Sequence, residues 1–184
     1  MTKLLVIAIA GISGCGKTSI VKSAAKHFAC KCLHFDDYID KNTYPQDMTQ
    51  WFVDGADVNQ IKTPRFAKAI RHHIKTSEGL LLVEEPFGTC RDEVSTLIDK
   101  TILLDVPLAI CLSRVIERRL KRVSALNKGQ VLKYLASYQD YLHQVYQSTF
   151  EQTRAVADTV INNNQCYDKA VTNIVEFINS VKEG

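Results

Sequence analysis

The segment that most constrains this chain lies at its amino end. Leu4 to Ala10 is an unbroken aliphatic and β-branched run, the pattern of a parallel strand covered on both faces. It leads into Gly11-Ile-Ser-Gly14-Cys-Gly16-Lys17-Thr18, a full match to G-x-x-x-x-G-K-[ST]. Beyond it Ile20, Ala24 and Phe28 recur on one helical face, with Lys22 and Lys26 off it. Strand, glycine loop and helix thus come in the order a phosphate-binding loop requires. Glycines let the main chain curl so that successive N–H groups turn toward phosphate oxygens, and the helix that starts there adds its positive end. The Lys17 amine reaches the β- and γ-phosphates, and the Thr18 hydroxyl offers a ligand to Mg²⁺. Gly11, Ser13, Gly14, Cys15, Gly16, Lys17, Thr18 and Ser19 are the expected nucleotide-binding residues. A short export signal over the same apolar run is the competing reading. It has a single lysine ahead of it and leaves the glycine pattern without a purpose.

Composition narrows the class. At 184 residues and 46% hydrophobic content, a single domain over residues 1–184 buries a sufficient core without disulfides or structural metal. The balance of 23 Lys+Arg against 20 Asp+Glu gives no case for nucleic acid as a partner. No apolar run approaches the roughly 20 residues that cross a bilayer. The six cysteines are scattered, with Cys30 and Cys32 the only close pair and no second pair or His cluster to complete a zinc set. That usage suits a reducing, cytoplasmic setting. The expectation is a cytoplasmic monomer or homodimer acting on a small molecule.

Acidic residues stand where the chemistry of a phosphate loop needs them. Cys30 to Phe35 reads as a second strand ending in Asp36-Asp37-Tyr38, and in doubly wound sheets the working residues gather past the carboxyl ends of strands. A carboxylate there accepts a proton from a substrate hydroxyl as the γ-phosphoryl moves. Neighbours on extended chain point opposite ways, so one of the pair faces the site, and Asp36 is the expected base. Gly79 to Val83 is a third strand ending in Glu84-Glu85-Pro86. Glu84 is the expected carboxylate beside Mg²⁺, since the chain is leaving the strand at Glu85. Lys100 to Val106 forms a fourth strand, which makes Asp105 a rival for that role. Between Arg114 and Lys133 stand seven cations and one anion, with Arg114, Arg118 and Arg122 recurring every four residues. Guanidinium forks match phosphate oxygens. Lys17, Asp36, Arg114 and Arg118 are therefore the expected catalytic groups.

Taken in order, the glycine loop, Asp36-Asp37-Tyr38, Leu82-Val83-Glu84, Asp105-Val106-Pro107 with Arg114 and Arg118, and Ala157 to Asn163 resemble the P-loop small-molecule kinases. Within these the chain is most similar to the uridine kinase and nicotinamide riboside kinase group, over nearly its whole length. The resemblance implies an α/β, three-layer P-loop NTPase fold: a five-stranded parallel sheet in the order 2-3-1-4-5, helices on both faces, and a helical lid near residues 118–135. It implies ATP:alcohol phosphotransfer with ATP and Mg²⁺ as cofactors and a nucleoside-like acceptor. Asp36 would be the base, Glu84 would act near Mg²⁺, and Arg118, Arg122 and Asn163 would lie on the nucleotide. The alternative is a nucleotide-binding switch, which needs a water-orienting residue and a mobile γ-phosphate sensor; neither signature is evident.

One position departs from that group. In the insertion near residues 38–63 the group has an aromatic residue followed by an Asp that binds ribose hydroxyls, whereas here Trp51 is followed by Phe52. Asp37, Tyr38, Tyr44 and Trp51 remain as an aromatic pocket with polar tips. Thr63-Pro64 reads as a helix start with Phe66, Ile70 and Ile74 buried. The tyrosine-rich stretch reads as one helix from about Gly129 to Phe150, and a last helix near Tyr167 to Val181 should close the sheet.

Overall fold

The computed structural model describes residues 3–121, 128–163 and 166–183. Five strands, β1 Leu5–Ala10, β2 Lys31–His34, β3 Leu80–Glu84, β4 Lys100–Asp105 and β5 Thr159–Asn162, form one sheet in the order β2-β3-β1-β4-β5. Every pairing is parallel, and the order is the one that the resemblance implies.

The alternation of side chains along each strand divides the core in two. Ile7 and Ile9 of β1, Leu82 of β3, and Ile102 and Leu104 of β4 face one side. There they meet Ile20, Val21 and Ala24 of α1 (Lys17–His27) and Ala170, Ile174 and Ile178 of α8 (Tyr167–Glu183). Val6 and Ala8 of β1 and Leu81 and Val83 of β3 face the other side, against Phe66, Ala67 and Ile70 of α3 (Pro64–Thr76). β1 is covered on both faces, as its continuous apolar run requires, and each buried Ile contributes about 1.5–3 kcal/mol. At the opposite end of the sheet from the glycine loop, Asp99 accepts from Val6 N–H at 2.9 Å and Asp158 from Thr101 N–H at 2.8 Å. These two carboxylates fix the starts of the central strands.

The remaining helices are α2 (Met48–Val53), α4 (Asp92–Ser95), α5 (Leu108–Lys121), α6 (Lys128–Ser137) and α7 (His143–Val156). Three local features differ from the sequence reading. Extended chain ends at His34, and Phe35–Tyr38 is a 3₁₀ turn. The tyrosine-rich stretch is not one helix, because a π-helical segment at Tyr138–Leu142 separates α6 from α7. The Tyr138 carbonyl accepts the His143 backbone N–H across the wider turn and the His143 ring Nδ1–H at 3.0 Å as well. Thr63 begins α3 without a side-chain cap; its hydroxyl accepts from Arg91 at 3.0 Å instead. Arg122 and the middle of the expected lid, residues 122–127, lie outside the described residues. Among the described residues no helix is long and apolar enough to cross a membrane.

Candidate active site

The carboxyl ends of β1, β2 and β3, with α5, border a cavity of about 480 Å³ whose floor is the glycine loop. Gly11, Gly14 and Gly16 hold φ values of 138°, 88° and 100°, a region that L side chains rarely occupy. A Cβ on Gly14 would stand 2.3 Å from the Cys111 carbonyl oxygen of α5, so helix and loop approach each other through that missing side chain. Lys17 is buried, and its ammonium donates to the Ile12 carbonyl at 3.0 Å, folding back along the loop. Arg114 reaches over from α5 to the carbonyls of Gly14 and Asn163, each at 3.4 Å.

Glu84 ends β3 buried beside the loop. It accepts from the Thr18 hydroxyl at 3.0 Å and from the His34 ring Nδ1–H at 2.7 Å. The two residues named for Mg²⁺ are therefore hydrogen-bonded to each other, and β2 supplies a histidine that fixes the carboxylate. Among the described residues no group of three or more His, Cys, Asp or Glu side chains is placed to hold a metal ion. One hydroxyl with one carboxylate suits Mg²⁺, which keeps several waters and takes its other ligands from phosphates.

Asp36 lines the same cavity, on the 3₁₀ turn after β2. Burial, with the negative charge of Asp36 close by, pushes the Tyr44 phenol up to about 12, so Tyr44 stays a neutral hydroxyl at ordinary pH. Around these two the wall is apolar: Met48, Trp51, Ile61, Pro86 and Phe87, with Leu142, Val145, Tyr146 and Phe150 from the π segment and α7. Burial drives the Tyr146 phenol above its ordinary range, with Ser13 and Tyr134 as hydrogen-bonding neighbours.

Behind that wall sits a buried ion pair. Arg91 is 0% exposed and donates to both Glu85 oxygens, at 3.1 and 2.5 Å, to the Ile61 carbonyl at 2.9 Å and to the Thr63 hydroxyl. Its guanidinium carbon lies 5.1 Å from the centre of the Phe35 ring. Burial pushes the Glu85 carboxyl up while the guanidinium pulls it down. This bracket joins the end of β3 to the carboxyl end of the 38–63 insertion, with the Phe35 ring just ahead of the insertion packed on it.

Of the residues that the sequence singled out, Gly11, Ser13, Gly14, Gly16, Lys17, Thr18, Ser19, Asp36, Trp51, Glu84, Arg114 and Arg118 line the cavity. Others do not. The Cys15 side chain is buried in the core behind the loop. Asp37, exposed like Asp36, is not among the lining residues; a 3₁₀ turn rather than strand alternation separates the two. Tyr38 packs on Phe66, ring centres 5.2 Å apart. Asn163 is buried and spends its amide on the Cys15 carbonyl at 2.9 Å, supporting the loop from behind. Asp105 ends β4 away from the cavity lining. Trp51 is a wall residue rather than a surface one, its indole N–H donating to the Asp57 carbonyl at 2.9 Å. His34, Met48, Ile61, Phe87, Tyr146 and the Glu85–Arg91 bracket were not signalled. They come from separate segments with no shared spacing, and the one hint was a carboxylate just before Pro86.

No family model matches the chain. Among curated proteins it is similar to the NACHT, LRR and PYD domains-containing protein 14 of Mus musculus, 25% identical over an alignment of 192 residues. The alignment covers 85% of this chain and 18% of that protein, so the chain spans less than a fifth of that relative's length. Among solved structures it is similar to a shikimate kinase from Bacteroides thetaiotaomicron, at TM-score 0.62 and 16% identity over 95% of this chain and 98% of that one. A shikimate kinase from Acinetobacter baumannii solved with shikimate gives 0.55 and 18% over 97% and 95%. A gluconokinase from Sinorhizobium meliloti gives 0.55 and 14% over 97% of both chains. These structures do not single out the uridine kinase group. At such identities the likeness is one of architecture: the chain has the P-loop NTPase fold of small-molecule kinases of the shikimate and gluconate kinase type.

Proposed function

We propose that this protein is an ATP-dependent phosphotransferase, a kinase that moves the γ-phosphoryl of ATP to a hydroxyl of a small, nucleoside-like metabolite. The observation that carries the reading is a single cavity bounded by the glycine loop on one side and by Asp36 on the other. Asp36 takes the proton of the acceptor hydroxyl while that oxygen attacks the γ-phosphorus. The bond from phosphorus to the β,γ-bridging oxygen breaks, and its electron pair leaves with ADP. Lys17, Arg114 and Arg118 offset the charge on the transferring group. Thr18 and Glu84 are the residues that would hold Mg²⁺, which neutralises phosphate charge when bound. Segment 118–135 would act as the lid, with Arg122 on the nucleotide and Asn163 holding the loop. Six cysteines without a disulfide support a cytoplasmic setting.

The likeness in fold to structures named as kinases supports the reaction class, and the aromatic wall supports a ring-bearing acceptor. The test is ADP release from ATP with and without a panel of nucleosides and other small alcohols. Stimulation by an acceptor, lost in Lys17→Ala, supports a kinase. Turnover that no acceptor changes favours a nucleotide switch.

A further inference from the structure

We infer that the non-reacting body of the acceptor is an uncharged, largely apolar ring, and that acceptors carrying a carboxylate are rejected; this rests on the phosphotransferase reading above. Charge is unevenly placed around the cavity. Among the described residues the charged side chains lining the cavity are Lys17, Asp36, Glu84, Arg114 and Arg118. The three cations belong to the glycine loop and to α5, which follows β4, and β4 lies on the other side of β1 from β3 and β2. They serve the phosphate end. On the β2 and β3 side the charged lining groups are the Asp36 and Glu84 carboxylates, which repel a further carboxylate and pair with none.

Tyr44, Met48, Trp51, Ile61 and Phe87 line the cavity with Asp36, and Tyr44 lies near enough to feel its charge. The polar capacity of this wall is small. The Trp51 N–H is already given to the Asp57 carbonyl, leaving the ring face to the ligand. A guanidinium does stand directly behind Ile61, but Arg91 is fully buried and its N–H groups go to Glu85, Ile61 and Thr63. It cannot turn to greet a ligand without breaking that bracket. A carboxylate entering here meets no cation and, on this wall, the Tyr44 hydroxyl as its one donor, beside the Asp36 charge, whereas an apolar ring meets surfaces of its own kind. Sites discriminate strongly when a buried polar group is left unpaired, on the order of 10²-fold or more.

The experiment uses two matched pairs that differ in charge at closely similar size: 3-(hydroxymethyl)benzoate and its primary amide, and shikimate and its primary amide. Phosphorylated product is followed by phosphorus NMR, and binding by thermal shift in the presence of a non-hydrolysable ATP analogue. The neutral member of each pair should be preferred about 10²-fold in transfer or affinity. Met48→Arg, and separately Tyr44→Arg at a position 40% exposed in the native chain, should cut that preference at least tenfold by offering the missing cation. Equal or better use of the acids overturns the inference. So does a preference that neither folded variant changes. If the ATP analogue raises the melting temperature and no neutral probe does, this inference falls alone; if the analogue itself fails to bind, the phosphotransferase reading falls with it.

Discussion

On the β1 and β4 side of the cavity, the surface is mostly main chain: residues 11–19 curl through three glycines with positive φ, and Arg114 and Asn163 brace their carbonyls. On the β2 and β3 side it is almost entirely side chain, with Asp36, Tyr44, Met48, Trp51, Ile61 and Phe87 drawn from four separate segments. A phosphate tail looks the same in every nucleotide, so a surface of N–H groups and a helix end suits it. An acceptor has an individual shape, and only side chains offer enough variety to match one. The contrast teaches that recognition of the common group is delegated to backbone geometry, while choice of partner is delegated to a wall of interchangeable residues.

The largest effect that would break this division concerns Asp36. Asp36→Asn should lower kcat by about 10²–10⁴-fold with ATP affinity changed no more than a few-fold. Asp37→Asn, one residue on and solvent-exposed, should stay near the parent rate; steady-state kinetics on an accepted alcohol with nucleotide titrations decide it, and a reversed pair would move the base to Asp37. Arg91→Met strands a buried carboxylate and should cost about 3–5 kcal/mol in denaturant unfolding. Its pH dependence has a definite sign. With the guanidinium gone, burial and then the nearby Glu93 charge act on Glu85 against the Phe87 N–H bond alone, and its folded-state pKa rises above the unfolded 4.5. The folded chain then holds a proton that the unfolded chain releases, so the variant should lose further stability as pH rises from 4.5 toward neutrality. A variant more stable at pH 7.5 than at pH 5 would contradict the account.

On the phosphate side, Lys17→Ala should reduce turnover about 10²–10³-fold while the melting temperature without nucleotide holds within a few degrees. An unchanged rate would remove the loop from the chemistry. The smallest effect is assigned to Arg118→Lys, about tenfold in kcat/KM, because charge is kept and the planar fork is lost. Arg118 is exposed on α5, so parent-like kinetics would mark it as a solvated face and confine the clamp to Arg114.

The same division explains what was readable from sequence. The strands were legible because burial on both faces forces continuous apolar runs, as in Leu4 to Ala10 and Leu80 to Val83. The glycine loop was legible because its backbone demands particular residue types at fixed spacing. Of the acceptor wall only Tyr44 and Trp51 were, since Met48, Ile61, Phe87 and Tyr146 share no spacing with them and meet only through the fold. Asp36 was selected over Asp37 on the premise of extended chain, yet a 3₁₀ turn sets their directions. The π segment at Tyr138–Leu142 escaped because one widened turn leaves no mark on helical periodicity.

The Glu85–Arg91 bracket carries a consequence for how such a protein can diversify. Because it anchors Ile61 and Thr63 through a carbonyl and a hydroxyl, the frame of the insertion is held largely apart from the side chains pointing inward. Positions 44, 48 and 61 can then be exchanged while the frame keeps its shape and the nucleotide end stays untouched. New preferences would arise through a handful of substitutions, with the costly machinery of phosphoryl transfer inherited intact.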